Sequence, residues 1–214
     1  MLRNTRGLKK DKLILLHEKF KAEIAKALEG FKQSRNNTEQ ILEELVFCLC
    51  TPQTMAQNAL KAVQEIKDQG LFKKPDRAKI SHILKKSGVR FHRTKAKRII
   101  SMLKTYPAVI ERINAGGNQD MLRDFLVETV DGFGMKEASH FLRNIGYENV
   151  AIIDRHILRY LKSEGVVKKN IKHLTRKRYL DVEKKFIELA LKYGFKPAEL
   201  DLLVWAASTG RVLK

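Results

Sequence analysis

Apolar residues along this chain recur at spacings of three and four, the period of a helix face. Leu13, Leu16, Phe20, Ile24 and Leu28 form one stripe, in a helix expected at about Leu8–Lys32. Ile41, Leu45, Cys48 and Leu49 form a second, with Thr38 reading as its N-cap. Pro52 breaks the pattern before Met55, Leu60, Val63 and Ile66, and Gly88 stops the next stripe, Ile80, Ile83 and Leu84. Ala96, Ile99, Ile100 and Leu103 continue it as far as Pro107. Met121, Leu122, Phe125 and Leu126 follow an Asn118 cap, and Ala138, Phe141, Leu142 and Ile145 close at Gly146. Further helices are expected at about Asp154–Ser163, Thr175–Tyr193 and Pro197–Ser208. No run alternates as a half-buried strand does, so the expected class is all-α, with roughly ten or eleven helices joined by short loops.

No repeat at a fixed period and no low-complexity linker interrupts the pattern. The expected architecture is two helical subdomains flanking a groove. Residues 38–149 would make a six-helix subdomain, and residues 1–37 with 150–214 the second. No stretch of about 18 apolar residues is present to span a membrane. The apolar run Leu13–Leu16 is too short for a signal peptide, which points to a cytoplasmic setting. Cys48 and Cys50 lie two apart on a helix, on different faces, and read as thiols in a reducing compartment. Neither a metal nor an iron–sulfur cluster is expected from two thiols of this spacing.

The most informative segment is Val130-Asp131-Gly132-Phe133-Gly134-Met135-Lys136-Glu137-Ala138, between two amphipathic stripes. Gly132 and Gly134 allow a sharp turn at about 130–137, and Phe133 would plug it into the two-helix core. The next helix begins at about Met135. Its first N–H groups are unpaired within the helix and carry the positive end of the dipole, so this tip can hold a phosphate. On residues alone the turn fits either an ordinary αα-hairpin or such an anion clamp. Lys136 stands in the first turn, an unfavourable place for a spectator ammonium. With His140 and Arg143 it lies opposite the apolar stripe, toward solvent or a cleft. A lysine amine there can serve as a nucleophile. Eighteen residues on, the apolar run Val150–Ile153 ends at Asp154, which opens a helix as a cap or as a fixed carboxylate. One helix and a return loop suffice to bring Lys136 and Asp154 to one site.

Charge adds a partner class. Lys and Arg number 43 against 24 Asp and Glu, a net charge of +19. The common offset for such an excess is a polyanion, nucleic acid first. Eight Lys or Arg and no acid lie between Lys85 and Lys104. Phosphate contact is expected there, centred on Arg90, Arg93, Lys95 and Lys97. A second block (Lys168, Lys169, Lys172, Arg176, Lys177, Arg178) reads as a solvated face.

The Gly132–Lys136 hairpin followed by Ile153-Asp154-Arg155-His156 resembles the signature of the helix-hairpin-helix DNA glycosylases of the endonuclease III superfamily. Leu49–Thr54 takes the place of their early groove-lining loop, and Phe91–Ala96 resembles a second DNA contact, so the likeness runs from about Thr38 to Leu161. The four clustered C-terminal cysteines of endonuclease III are missing. The short all-α chain ending Trp205–Lys214 is most similar to the archaeal-type 8-oxoguanine DNA glycosylase/lyases. That resemblance implies a monomeric, cofactor-free base-excision enzyme of a prokaryotic cytoplasm. It implies excision of 8-oxoguanine from duplex DNA and nicking of the strand by β-elimination. Lys136 would be the Schiff-base nucleophile and Asp154 the essential acid. A flipped purine needs flat or apolar faces about it, and Trp205 and Phe91 are the candidates, each also readable as core, Phe91 the more readily of the two. Gln53, on a loop, would read a base edge or fill the hole left in the stack. Lys214 is placed in the pocket by the resemblance. Gly132 and Gly134 would hold the DNA backbone. Two alternatives stay open: a glycosylase/lyase for oxidised pyrimidines, and a non-catalytic helix-hairpin-helix DNA-binding module.

Overall fold

A computed structural model of the chain describes residues 10–168, 171 and 173–213, with side chains from residue 12 onward. Among these residues there are ten α-helices and no strand. They are α1 (Lys10–Ser34), α2 (Thr38–Cys50), α3 (Ala56–Asp68), α4 (Arg77–Lys86), α5 (His92–Asn114), α6 (Gln119–Thr129), α7 (Met135–Asn144), α8 (Arg155–Ser163), α9 (Arg176–Lys192) and α10 (Pro197–Thr209). No helix among the described residues is long and apolar enough to cross a membrane.

Short polar side chains set the helix starts. Asn37, Asp76, Asn118, Asp154 and Thr175 each accept a backbone N–H from the first turn of α2, α4, α6, α8 and α9. The cap of α2 is therefore Asn37 and not Thr38, which already has helical geometry. Helix α5 also runs past its expected end, with Pro107 inside it. Val109 and Ile113 extend its buried face beyond the proline, and that burial outweighs the one missing N–H donor. Leu8, the expected start of α1, lies outside the described residues.

The described residues divide into two compact units: Met1–Ser34 with Leu142–Lys214, and Arg35–Phe141. The second division falls inside α7 and not at 149/150. On α7, Arg143 stacks on Phe31 at 5.4 Å. Just beyond it, Gly146 lies so close to Lys32 that a Cβ would sit 2.9 Å from the Lys32 Cα. Phe31 and Lys32 are both residues of α1.

In the Arg35–Phe141 unit α2 is the central helix, buried from Leu45 to Cys50 and packed on α3 and α5. Helix α5 also packs on α4 and α6. Cys48 and Cys50 are free and fully buried, and burial pushes the Cys50 thiol up to about 12, so it stays an inert thiol. Arg123, buried in α6, donates to Ser139 Oγ (3.2 Å) and to Asp120 (2.7 Å).

In the other unit α10 is apolar around most of its circumference and packs on α1, α8 and α9. Its one fully buried charge is Asp201, which accepts from Arg143 Nη1 at 2.5 Å. The same guanidinium donates to Asn144 Oδ1. The sequence pattern placed Arg143 opposite the apolar stripe of α7. It is buried because α7 is enclosed on that face as well, where Ser139 and Asn144 are also buried.

Burial pushes the Asp201 carboxyl from its ordinary 3.8 up to about 6, with Arg143 opposing and Asp154 reinforcing. A folded value above the unfolded one adds stability that is complete below about 3.8 and is lost as pH rises through about 6. The span corresponds to roughly 3 kcal/mol. Urea unfolding between about pH 4 and pH 7 should show that falling limb in the wild type and not in Asp201→Asn. Parallel pH profiles for the two proteins would sink this account.

Candidate active site

In the Arg35–Phe141 unit, α6 and α7 are joined by the turn Val130–Gly134. Gly132 takes φ +97°, which a side chain resists, whereas Gly134 is not left-handed. A second constraint acts at Gly132: a Cβ there would fall 2.5 Å from Arg98 Cδ. Arg98, on α5, lies across the turn and pairs with Asp131 at 3.6 Å. Phe133 is buried, its ring 6.3 Å from that of Phe141, and so plugs the hairpin as expected.

Lys136 is the second residue of α7, and its side chain is about a third exposed (36%). Its Nζ donates to Glu137 Oε1 at 3.3 Å. Glu137 Oε2 accepts from the Gly134 N–H, also at 3.3 Å. Glu137 thus closes back on the residue preceding the helix, the carboxylate half of a capping box. Sequence reading passed over Glu137, although its place three residues after Gly134 carries that signal. The Gly134 N–H is accordingly already engaged.

Two loops of the same unit stand out. Gln53 (φ 55°) and Phe91 (φ 56°) are the non-glycine residues with left-handed backbone among the described residues, each at a cost of about 1 kcal/mol or more. Both side chains are exposed, the Phe91 ring to 54%, so Phe91 is not a core residue. The Arg90 guanidinium lies 5.3 Å from that ring. Arg90, Arg93 and Lys97 are exposed, as phosphate contacts must be.

Lys95 is not. Its side chain is buried (3% exposed), with Nζ donating to Cys50 O (2.7 Å), Pro52 O (2.7 Å) and Thr54 Oγ1 (3.0 Å). Those three acceptors match the three N–H groups of an ammonium. Phosphate contact through Lys95 is thereby corrected to an internal tie. Burial pushes its ammonium down to about 8, reinforced by the positive charges of Arg98, Lys136 and Arg90.

In the other unit, Asp154 caps α8. Its Oδ1 accepts from His156 N (2.7 Å) and Ile157 N (2.9 Å), while Oδ2 takes no hydrogen bond from the described residues. Asp154 is partly exposed. His156 meets Trp205 edge to face at 5.0 Å. Burial pushes its imidazole down, Asp154 pulls it up, and Arg159 and Arg155 add to the fall. Trp205 is neither core nor surface. Its Nε1 is buried with no hydrogen-bond partner among the described residues. Lys214 lies outside the described residues, as do Lys169 and Lys172 of the second basic block. No group of three or more His, Cys, Asp or Glu among the described residues could hold a metal ion.

The family described as 8-oxoguanine DNA glycosylase matches residues 24–195. The 8-oxoguanine DNA glycosylase/AP lyase of Methanocaldococcus jannaschii is 37% identical over 201 residues, 94% of this chain and 96% of its own. The crystal structure of the 8-oxoguanine DNA glycosylase of Thermotoga maritima superposes with a TM-score of 0.89 at 31% identity, over 96% of this chain and 98% of that one. The Methanocaldococcus jannaschii 8-oxoguanine glycosylase/lyase, in complex with a 15mer DNA containing 8-oxoguanine, gives a TM-score of 0.89 at 35% identity, over 96% and 99%.

The two duties of Asp154 separate by substitution. Asp154→Asn keeps an oxygen for the His156 and Ile157 N–H groups, so its unfolding free energy should stay within about 0.5 kcal/mol of wild type. Asp154→Ala should lose about 1 kcal/mol. Equal stability for the two variants in urea would show that the cap contributes nothing.

Proposed function

Because the chain belongs to the 8-oxoguanine DNA glycosylase family, we propose that it excises 8-oxoguanine from duplex DNA and cleaves the abasic site it leaves. The observation that carries this reading is the Gly132–Lys136 hairpin, which ends on an accessible amine in the first turn of α7. A base in a duplex is out of reach of any side chain, so the target nucleotide leaves the stack first. The Lys136 amine then attacks C1′, and the glycosidic bond breaks with its electron pair going to the base. Lys136 must lose a proton to attack, and Glu137 Oε1 is its hydrogen-bonded neighbour.

The sugar gains positive charge as the base departs. The Asp154 carboxylate stabilises it, with Oδ1 fixed by the α8 backbone and Oδ2 unengaged. Ring opening gives a Schiff base on Lys136. Loss of a C2′ proton then expels the 3′ phosphate, and water releases the lysine. Every group needed is a side chain of the protein.

The Trp205 indole N–H, buried and unpartnered among the described residues, suits an acceptor on the extruded base. Lys214 remains a candidate for the same pocket on resemblance. Arg90, Arg93, Lys97 and the hairpin backbone at Gly132 supply phosphate contacts, and the chain works as a monomer on the chromosome of a prokaryotic cytoplasm.

Borohydride should cross-link the wild type to 8-oxoguanine duplex, and Lys136→Gln should give no adduct. Asp154→Asn should slow base release by about 10²-fold or more while leaving DNA binding intact. A denaturing gel run with oxidised-pyrimidine duplexes beside 8-oxoguanine separates the lesion classes. Binding without nicking on every substrate would instead mark a DNA-binding module.

A further inference from the structure

Three facts of the Arg35–Phe141 unit converge on one buried ammonium. The left-handed non-glycine residues among the described residues are Gln53 and Phe91, on different loops, and both side chains are exposed. Lys95 gathers Cys50 O, Pro52 O and Thr54 Oγ1, oxygens on either side of Gln53. Thr54 Oγ1 in turn accepts the backbone N–H of Arg90 at 3.2 Å, the residue before Phe91. Within the hydrogen bonds of this unit, one side chain therefore ties together both strained positions.

Left alone, glutamine and phenylalanine relax to right-handed or extended backbone. A fold retains such strain where the surroundings over-determine it, and such strain clusters where a ligand is met. Neither side chain is spent on the core. The Phe91 ring has the Arg90 guanidinium alongside it, a flat apolar face beside a cation, which suits a nucleic-acid base and its phosphate.

We propose that Lys95 is a positioning residue for DNA opening: it holds Gln53 and, through Thr54, Phe91 in the conformations that enter the base stack, before DNA arrives. This rests on the glycosylase/lyase reading. It assigns Lys95 to extrusion of the damaged nucleotide and not to the chemistry of Lys136. Removing the tie leaves the catalytic groups in place but makes the probing residues find their conformation during binding. Pre-set geometry is then lost at the one step that needs an intact stack to be broken.

The test compares two reactions of the full chain. Single-turnover release of 8-oxoguanine from duplex needs extrusion of a stacked base. Nicking of a duplex with a preformed abasic site does not. Lys95→Met keeps the length of the stem and removes the donors, and Thr54→Val leaves Lys95 its two carbonyl acceptors while removing the hydroxyl that joins it to the Arg90 N–H. Lys95→Met should lower base release by about tenfold or more and abasic nicking by less than about twofold. Thr54→Val should lower base release by roughly threefold with nicking unchanged. A 2-aminopurine beside the lesion should brighten less on binding of either variant than of wild type.

Wild-type base release by a folded Lys95→Met, or an equal loss of both reactions, overturns the proposal. Should Lys95→Met not fold, Thr54→Val decides, and unchanged base release by it overturns the proposal. A wild-type chain that performs neither reaction overturns the glycosylase/lyase reading and this one together. An active wild type with an indifferent Lys95→Met overturns this one alone.

Discussion

Two cations of helix α5, Lys95 and Arg98, stand one turn apart, and loops of the Arg35–Phe141 unit are held where those two find oxygen. Lys95 turns inward and takes the carbonyls of Cys50 and Pro52 with the Thr54 hydroxyl. Arg98 lies over the hairpin, against the space a Gly132 side chain would need, and reaches Asp131. An unpaired ammonium at Lys95's depth would be expensive, so its three bonds are a condition of burial and not a decoration on it. The dependence is mutual: the C-terminal end of α2 has carbonyls that no helical N–H reaches, and Lys95 satisfies one of them at Cys50. A helix end, a strained loop and a buried charge thus solve one another's problems.

The other unit uses polar side chains in the same double way. Asp154 holds the first turn of α8 with one oxygen and leaves the second unengaged among the described residues. A carboxylate fixed by two backbone N–H groups needs little reorganisation when positive charge develops near it, which is what electrostatic preorganisation means. Its neighbours are constrained too: His156 is held against Trp205, and Asp201 is locked to Arg143 below the surface. The two backbone N–H bonds to Oδ1 hold the Asp154 carboxylate in place.

The helices, the hairpin and the Asp154 cap were readable in the sequence because each is local. Their signals are a periodicity, a Gly-Phe-Gly turn, or an acid before a helix. Pro107 misled because a breaker reads locally, whereas the burial of Val109 and Ile113 that overrides it does not. Lys95 misled for the opposite reason. It sits among cations, so it looked like one of a phosphate-binding run, yet it lies in line with Ile99 and Met102 on the buried face of α5. Helical phase, not charge density, separated it from Arg93 and Lys97. Arg143 repeats the error on α7, where the face opposite the apolar stripe is enclosed as well. No local pattern marks the left-handed backbone of Gln53 and Phe91, because neither is glycine, asparagine or aspartate.

The net charge of +19 invites the view that the basic residues form one electrostatic surface. The cations divide instead by what they bind. Lys95, Arg123 and Arg143 are internal, each bonded to oxygens of its own unit, and their charge is already answered there. Arg90, Arg93 and Lys97 are exposed and remain available to a polyanion. The two sets behave oppositely toward salt. Bonds made in the interior are shielded from mobile ions, whereas an exposed cation on a phosphate is in competition with them. On the proposed reading, salt would weaken a grip on DNA without loosening the loops that Lys95 ties. Separating a buried ammonium that ties loops from exposed cations would let a strongly charged protein of this proposed function release DNA while keeping those loops in place.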